Sequence, residues 1–133
     1  MKIYESKFQS IDFEASENLF IVVWKHMMEI SDEIYRQELL NQALEFEKYN
    51  PSKVLIDTSV FYFSISPDTQ TWNNENILTR VIAAGLKYVA ILLAPDLFAQ
   101  VSIEQNMSEE TTGSLHISYC ENIEDGLKIL RKF

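Results

Sequence analysis

Oxygen-bearing side chains gather between positions 57 and 66, where Asp57, Thr58, Ser59, Ser64 and Ser66 fall within one short stretch. An acid that closes a β-strand can orient a ligand hydroxyl or bind a cation. Hydroxyls beside a helix amino terminus can hold a phosphate, a carboxylate or a covalent phosphoryl group. Each also has a plain structural role. Ser66 caps the helix, the other hydroxyls satisfy loop backbone groups, and Asp57 accepts a loop N–H or pairs with a neighbouring cation. The loop holds no glycine-rich cradle, lysine or arginine, which weakens the anion reading. Phe61, Tyr62 and Phe63 lie in the same loop, and Trp72 follows on the next helix. They suit an apolar pocket or a protein-binding patch, or Phe61 and Phe63 plug the end of the core. Asp96 and Phe98, after the next strand, complete the set.

Other chemistries find less support. The two histidines, His26 and His116, are isolated. Pairing His116 with Cys120 as base and nucleophile fails because four residues of strand separate them by roughly 13 Å. The single cysteine excludes an internal disulfide, and no His/Cys/Asp cluster has metal-ligand spacing. We therefore expect no metal, no cofactor and no catalytic residue.

The elements that position these residues follow from patterning. Val54-Leu55-Ile56, between Pro51 and Asp57, reads as a buried parallel strand, and Ser66-Pro67-Asp68 as a helix start. Residues 3 to 14 and 19 to 24 form a hairpin about a polar turn at 15 to 18. Ser31 caps a helix to about Tyr49 with Tyr35, Leu39, Ala43 and Phe46 inward. From Pro67 to about Gly85 a helix turns Ile77, Leu78, Val81 and Ile82 inward and Trp72 outward. Lys87 to Ala94 is a strand, a third helix starts at Pro95-Asp96, Leu115 to Cys120 is the last strand, and Asn122 caps a closing helix. Right-handed crossovers then give a single mixed, mostly parallel five-stranded α/β sheet with an amino-terminal antiparallel hairpin and about four helices.

A chain of 133 residues, 47% hydrophobic, holds one domain, residues 1 to 133. Twenty acids against eleven basic residues give a charge of −9, which disfavours nucleic acid and anionic membranes as partners. The longest apolar run, Val89 to Pro95, is far too short to span a bilayer, and Met1 to Lys7 contains no hydrophobic signal region. The expected location is cytoplasmic.

This element order, with Val54-Leu55-Ile56-Asp57-Thr58-Ser59 closing the third strand, resembles the STAS superfamily of anti-sigma-factor-antagonist-like domains. It resembles more narrowly an uncharacterised bacterial branch related to the CRAL-TRIO lipid-transfer folds. Trp72, Glu75-Asn76-Ile77 and the run from Asp96 to Gln105 add loose positions. The resemblance implies partner binding at the loop after the third strand, with Ser66 at the helix start where the family's phosphorylated serine stands. Here Ser64-Ile65-Ser66-Pro67-Asp68 replaces the family's Asp-Ser-Ser-Gly turn.

The expected function is thus a non-enzymatic STAS-like binding domain. It would engage a protein partner or a small apolar or anionic ligand through Asp57, Thr58, Ser59, Phe61, Phe63, Ser64, Ser66, Trp72, Asp96 and Phe98. The alternative is a small lipid-like-ligand carrier or enzyme with a cavity beside Asp57 and Asp96. A closed cavity of a few hundred Å³ favours the alternative; a flat, exposed Trp72 favours the protein partner. Leu40 and Leu44, or an edge strand, offer a homodimer contact.

Overall fold

Val54 and Leu55 are fully buried, because their strand has a like-directed neighbour on each side and helices over both faces. In the computed structural model, which describes residues 1–25, 30–60, 66–94 and 115–133, this strand is β4 (Lys53–Asp57). It lies between β3 (Leu19–Trp24) and β5 (Tyr88–Leu92), parallel to both. Beyond β5 the sheet ends at β6 (His116–Cys120), also parallel. On the other side β2 (Gln9–Glu14) pairs antiparallel with β3, and β1 (Lys2–Glu5) antiparallel with β2. The six strands run in sequence order across one sheet.

The architecture is therefore the mixed, mostly parallel α/β sheet expected, with six strands where five were counted. Ser6 makes the difference: its hydroxyl accepts from the backbone N–H groups of Phe8 and Gln9. That turn divides the first expected strand in two without a glycine or proline to announce it. At the far end of β2, the turn at Ala15–Glu17 closes with Asn18 in the left-handed region at φ 52°.

Helix ends fall where local chemistry puts them. Ser31 caps α1 (Asp32–Tyr49), its hydroxyl accepting from Ile34 N. Ser66 caps α2 (Pro67–Asn73) with Pro67 at the first helical position, and Asn122 caps α4 (Ile123–Leu130) by accepting from Asp125 N. Between α2 and α3 (Thr79–Ala83) the helix runs on through a π-helical turn, Asn74–Leu78. The expected helix from Pro95 lies outside the described residues.

Strand alternation sorts the core into two layers. Phe20, Val22, Trp24, Val54 and Val89 face α1, α2 and α3, packing with Tyr35, Leu39, Ala43, Phe46, Ile77 and Val81. Leu19, Leu55, Ala90 and Cys120 face the other way, under Leu130 of α4. Gly126 lets α4 approach closely, since a Cβ there would stand 2.6 Å from Leu55 Cδ1 and 3.0 Å from Cys120 Sγ.

Candidate functional site

Between the sheet and the α1, α2 and α3 layer is a cavity of about 310 Å³. Its floor is made by Val54 and Ile56 of β4, Val89 and Ile91 of β5, and Ile117 and Tyr119 of β6. Its roof is Leu39, Gln42 and Phe46 of α1 with Asn73, Ile77, Leu78 and Val81 from the second helical rod. None of the described residues that line it is charged.

The cavity has direction. The three floor strands are parallel, so Val54, Val89 and Leu115 mark their amino ends, and Thr58 and Tyr119 their carboxyl ends. The span from Val54 to Thr58 is roughly 13 Å. Both roofing rods run antiparallel to the strands, which brings Tyr35 and Asn73, near their starts, to the carboxyl end. Polar side chains therefore stand towards one end, and the described residues at the other, Leu86, Val81 and Phe46 among them, are apolar. Binding crevices of parallel sheets open at the strands' carboxyl ends.

Asn73 is the unusual member. Its Oδ1 is fully buried and has no hydrogen-bond partner, in a class of atoms that folded proteins nearly always satisfy. The π turn begins at the next residue. Inward positions on this rod, at Thr69, Asn73, Ile77 and Val81, step by four residues. An α-helix of 3.6 residues per turn would drift about 40° at each such step. A wider turn absorbs part of that drift and keeps Asn73 in line with Ile77.

Sequence reasoning passed over Asn73 and Gln42. The signal for Gln42 is its place in the stripe Tyr35, Glu38, Leu39, Gln42, Ala43, Phe46, all of them buried. Its amide donates to Gln9 Oε1 at 3.0 Å. Gln9 donates in turn to Glu38, whose carboxylate also receives Ser6 Oγ, Tyr4 OH and Asn41 Nδ2. The Tyr35 phenol is pushed well above its ordinary value by burial, so it stays neutral.

The residues singled out from sequence are not one constellation. Thr58 lines the cavity, but its hydroxyl and its backbone N–H both donate to Leu92 O, at 2.8 and 2.9 Å. Asp57 alternates to the other face with Leu55, where its charge, after burial and Asp125, helps to raise the Cys120 thiol. Its Oδ1 accepts from Ser59 N at 2.9 Å and Ser59 Oγ at 2.6 Å, closing its own loop. The cavity is thus not beside the Asp57 carboxylate.

Ser66 accepts from Thr69 N as a cap and donates to Asp32 Oδ2. A phosphoryl group on that oxygen would stand against the Asp32 carboxylate. Trp72 does not point outward: it is half-buried, packs against the main core cluster, and carries the Arg36 guanidinium 5.3 Å from its ring centroid. The π turn lessens the angle between Trp72 and Ile77 that regular helical spacing implies. Phe61, Phe63, Ser64, Asp96 and Phe98, with Tyr62 and His26, lie outside the described residues.

Leu40 is half-buried and Leu44 is 56% exposed, so they make no broad ridge. Among the described residues no group of three or more His, Cys, Asp or Glu could hold a metal, and no helix is long and apolar enough to cross a membrane. No protein-family model, curated protein or solved structure matches the chain.

Proposed function

We propose that this chain is a non-enzymatic binding domain that encloses a small, largely apolar ligand between its sheet and the α1, α2 and α3 layer. The cavity carries the reading. Its volume of about 310 Å³ lies at the lower end of the roughly 300–1,000 Å³ of small-molecule sites, and its apolar walls with a few convergent polar groups fit such sites.

Among the described residues no carboxylate, histidine or basic side chain lines the space, which favours carriage or sensing over catalysis. The protein-partner reading loses its main support, because the Trp72 ring is shared between the core and Arg36. A distant STAS-like relationship is part of the proposal, supported by the sequential run of parallel strands from β3 to β6.

Native mass spectrometry of protein purified from its own cells tests the reading, with Val89→Phe as the control. We expect a co-purified small molecule on the wild type and none on Val89→Phe, whose added ring fills the floor. A wild type that carries nothing and gains no thermal stability from any neutral lipid or alcohol overturns the proposal.

A further inference from the structure

We infer that the ligand is a single alkyl chain of about ten carbons, lying along the strands with its methyl end at their amino ends. This rests on the cavity being a binding site and adds the size, shape and orientation of what it takes.

Two measures of the cavity converge on that size. The first is volume. A cavity of about 150 Å³ accepts benzene with its six carbons, so the roughly 310 Å³ here hold about twelve non-hydrogen atoms. The second is length. Along β4 the lining runs from Val54 to Thr58, a span of roughly 13 Å. An extended alkyl chain advances roughly 1.3 Å per carbon–carbon bond, so about ten carbons cover that span. A sterol or a long membrane acyl chain exceeds both limits.

Shape follows from the two together. Over roughly 13 Å of strand the volume leaves a mean cross-section of roughly 24 Å². One methylene chain, about 4–5 Å wide at van der Waals contact, takes up most of that area, and a fused ring system does not fit. Orientation follows from the ends. Val54, Val89, Leu115 and Leu86 stand at the amino ends of the floor strands and are apolar, whereas Thr58 and Tyr119 stand at the carboxyl ends. The polar head of the chain therefore lies where crevices of parallel sheets open, and its methyl end reaches Leu86.

Straight-chain 1-alkanols from 1-hexanol to 1-tetradecanol, titrated into the intact chain by calorimetry, test this. We expect affinity to rise about three- to fourfold with each added methylene up to about ten carbons, and then to level off because further carbons stay outside the walls. Decahydro-2-naphthol closes the ten carbons of 1-decanol into two rings and should bind at least about tenfold more weakly. Leu86→Ala deepens the apolar end and should move the break up by about two carbons, and the milder Leu86→Val by about one. An unbroken rise to 1-tetradecanol overturns the chain length. Equal or tighter binding of the ring alcohol overturns the single-chain shape, and a break that neither Leu86 variant moves overturns the orientation. Each of these results leaves the cavity reading standing, whereas binding of none of the alcohols overturns both.

Discussion

The hydroxyl of Ser66 donates to Oδ2 of Asp32, so the cap of α2 is hydrogen-bonded to the first residue of α1. Thr69 donates to the same oxygen at 2.7 Å, and Arg36 Nε donates to Thr69 Oγ1 at 3.1 Å. One carboxylate thus serves two helix amino termini, both of which favour negative charge. The link fixes the spacing of the two rods that roof the cavity at its polar end.

That link has a pH signature. Hydrogen bonds from Ser66, then Thr69, hold the Asp32 carboxyl below its ordinary value of 3.8. A lowered folded-state value gives stability that is complete above the ordinary value and is lost as pH falls through the lowered one. Asp32→Asn has no such proton to gain. The gap in urea midpoint between wild type and Asp32→Asn should therefore close as the pH falls below about 4. A gap that stays constant below that pH contradicts the assignment.

Trp72 offers a second test of the same corner. Its ring packs against the main core cluster and lies beneath the Arg36 guanidinium. Trp72→Ala should cost about 2 kcal/mol by denaturant unfolding, below the roughly 3–5 kcal/mol of a fully buried aromatic. Trp72→Phe should recover more than half of that. A loss under about 0.5 kcal/mol, typical of surface positions, would mean that the ring makes no useful contact.

What could be read from the chain divides along the range of the forces involved. Ser31, Ser66 and Asn122 announce their helices because a cap bonds to a backbone N–H three residues away. β4 was legible because burial on both faces leaves an unbroken apolar run. The division of β1 from β2 was not, since Ser6 makes that turn with an ordinary hydroxyl. The cavity was invisible for a deeper reason: it is the space that Val54, Val89 and Phe46 fail to fill between them, and side-chain spacing along one element says nothing of that distance. Asn73 lies one residue beyond Trp72, but only the π turn aligns it with Ile77, and a 3.6-residue period hides that alignment.

Glu38 shows a polar residue specifying how a helix docks. It is only 7% exposed, and its carboxylate receives Ser6 Oγ at 2.6 Å, Gln9 Nε2 at 3.1 Å and both Tyr4 and Asn41. Glu38→Ala leaves several of these donors without their acceptor, and should destabilise by about 2–4 kcal/mol. Glu38→Leu should be no better, because the donors stay behind, whereas Glu38→Gln keeps one acceptor and should lose less. If all three variants lose the same, the network contributes nothing beyond side-chain volume. Hydrogen exchange of the β1 and β2 amides would localise the effect, since these two strands and the turn between them hold three of the donors, Tyr4, Ser6 and Gln9.

Gly126 gives the sharpest prediction because two effects oppose each other there. Alanine is favoured over glycine inside a helix by about 1 kcal/mol, so an exposed position in α4 would gain stability from the change. At Gly126 the new Cβ would stand 2.6 Å from Leu55 Cδ1 and 3.0 Å from Cys120 Sγ, and Leu55 is fully buried at the centre of the sheet. Overpacking of that kind costs about 1–3 kcal/mol. Gly126→Ala should therefore lower stability by about 1 kcal/mol net, as a fall in thermal midpoint. Leu55→Val, which withdraws the nearest methyl, should couple to it: the double variant should be more stable than the sum of the two single losses by at least about 0.5 kcal/mol. Strict additivity would place α4 further from β4 than the geometry has it, and a gain in stability from Gly126→Ala alone would mean that the helix can lift off the sheet at no cost.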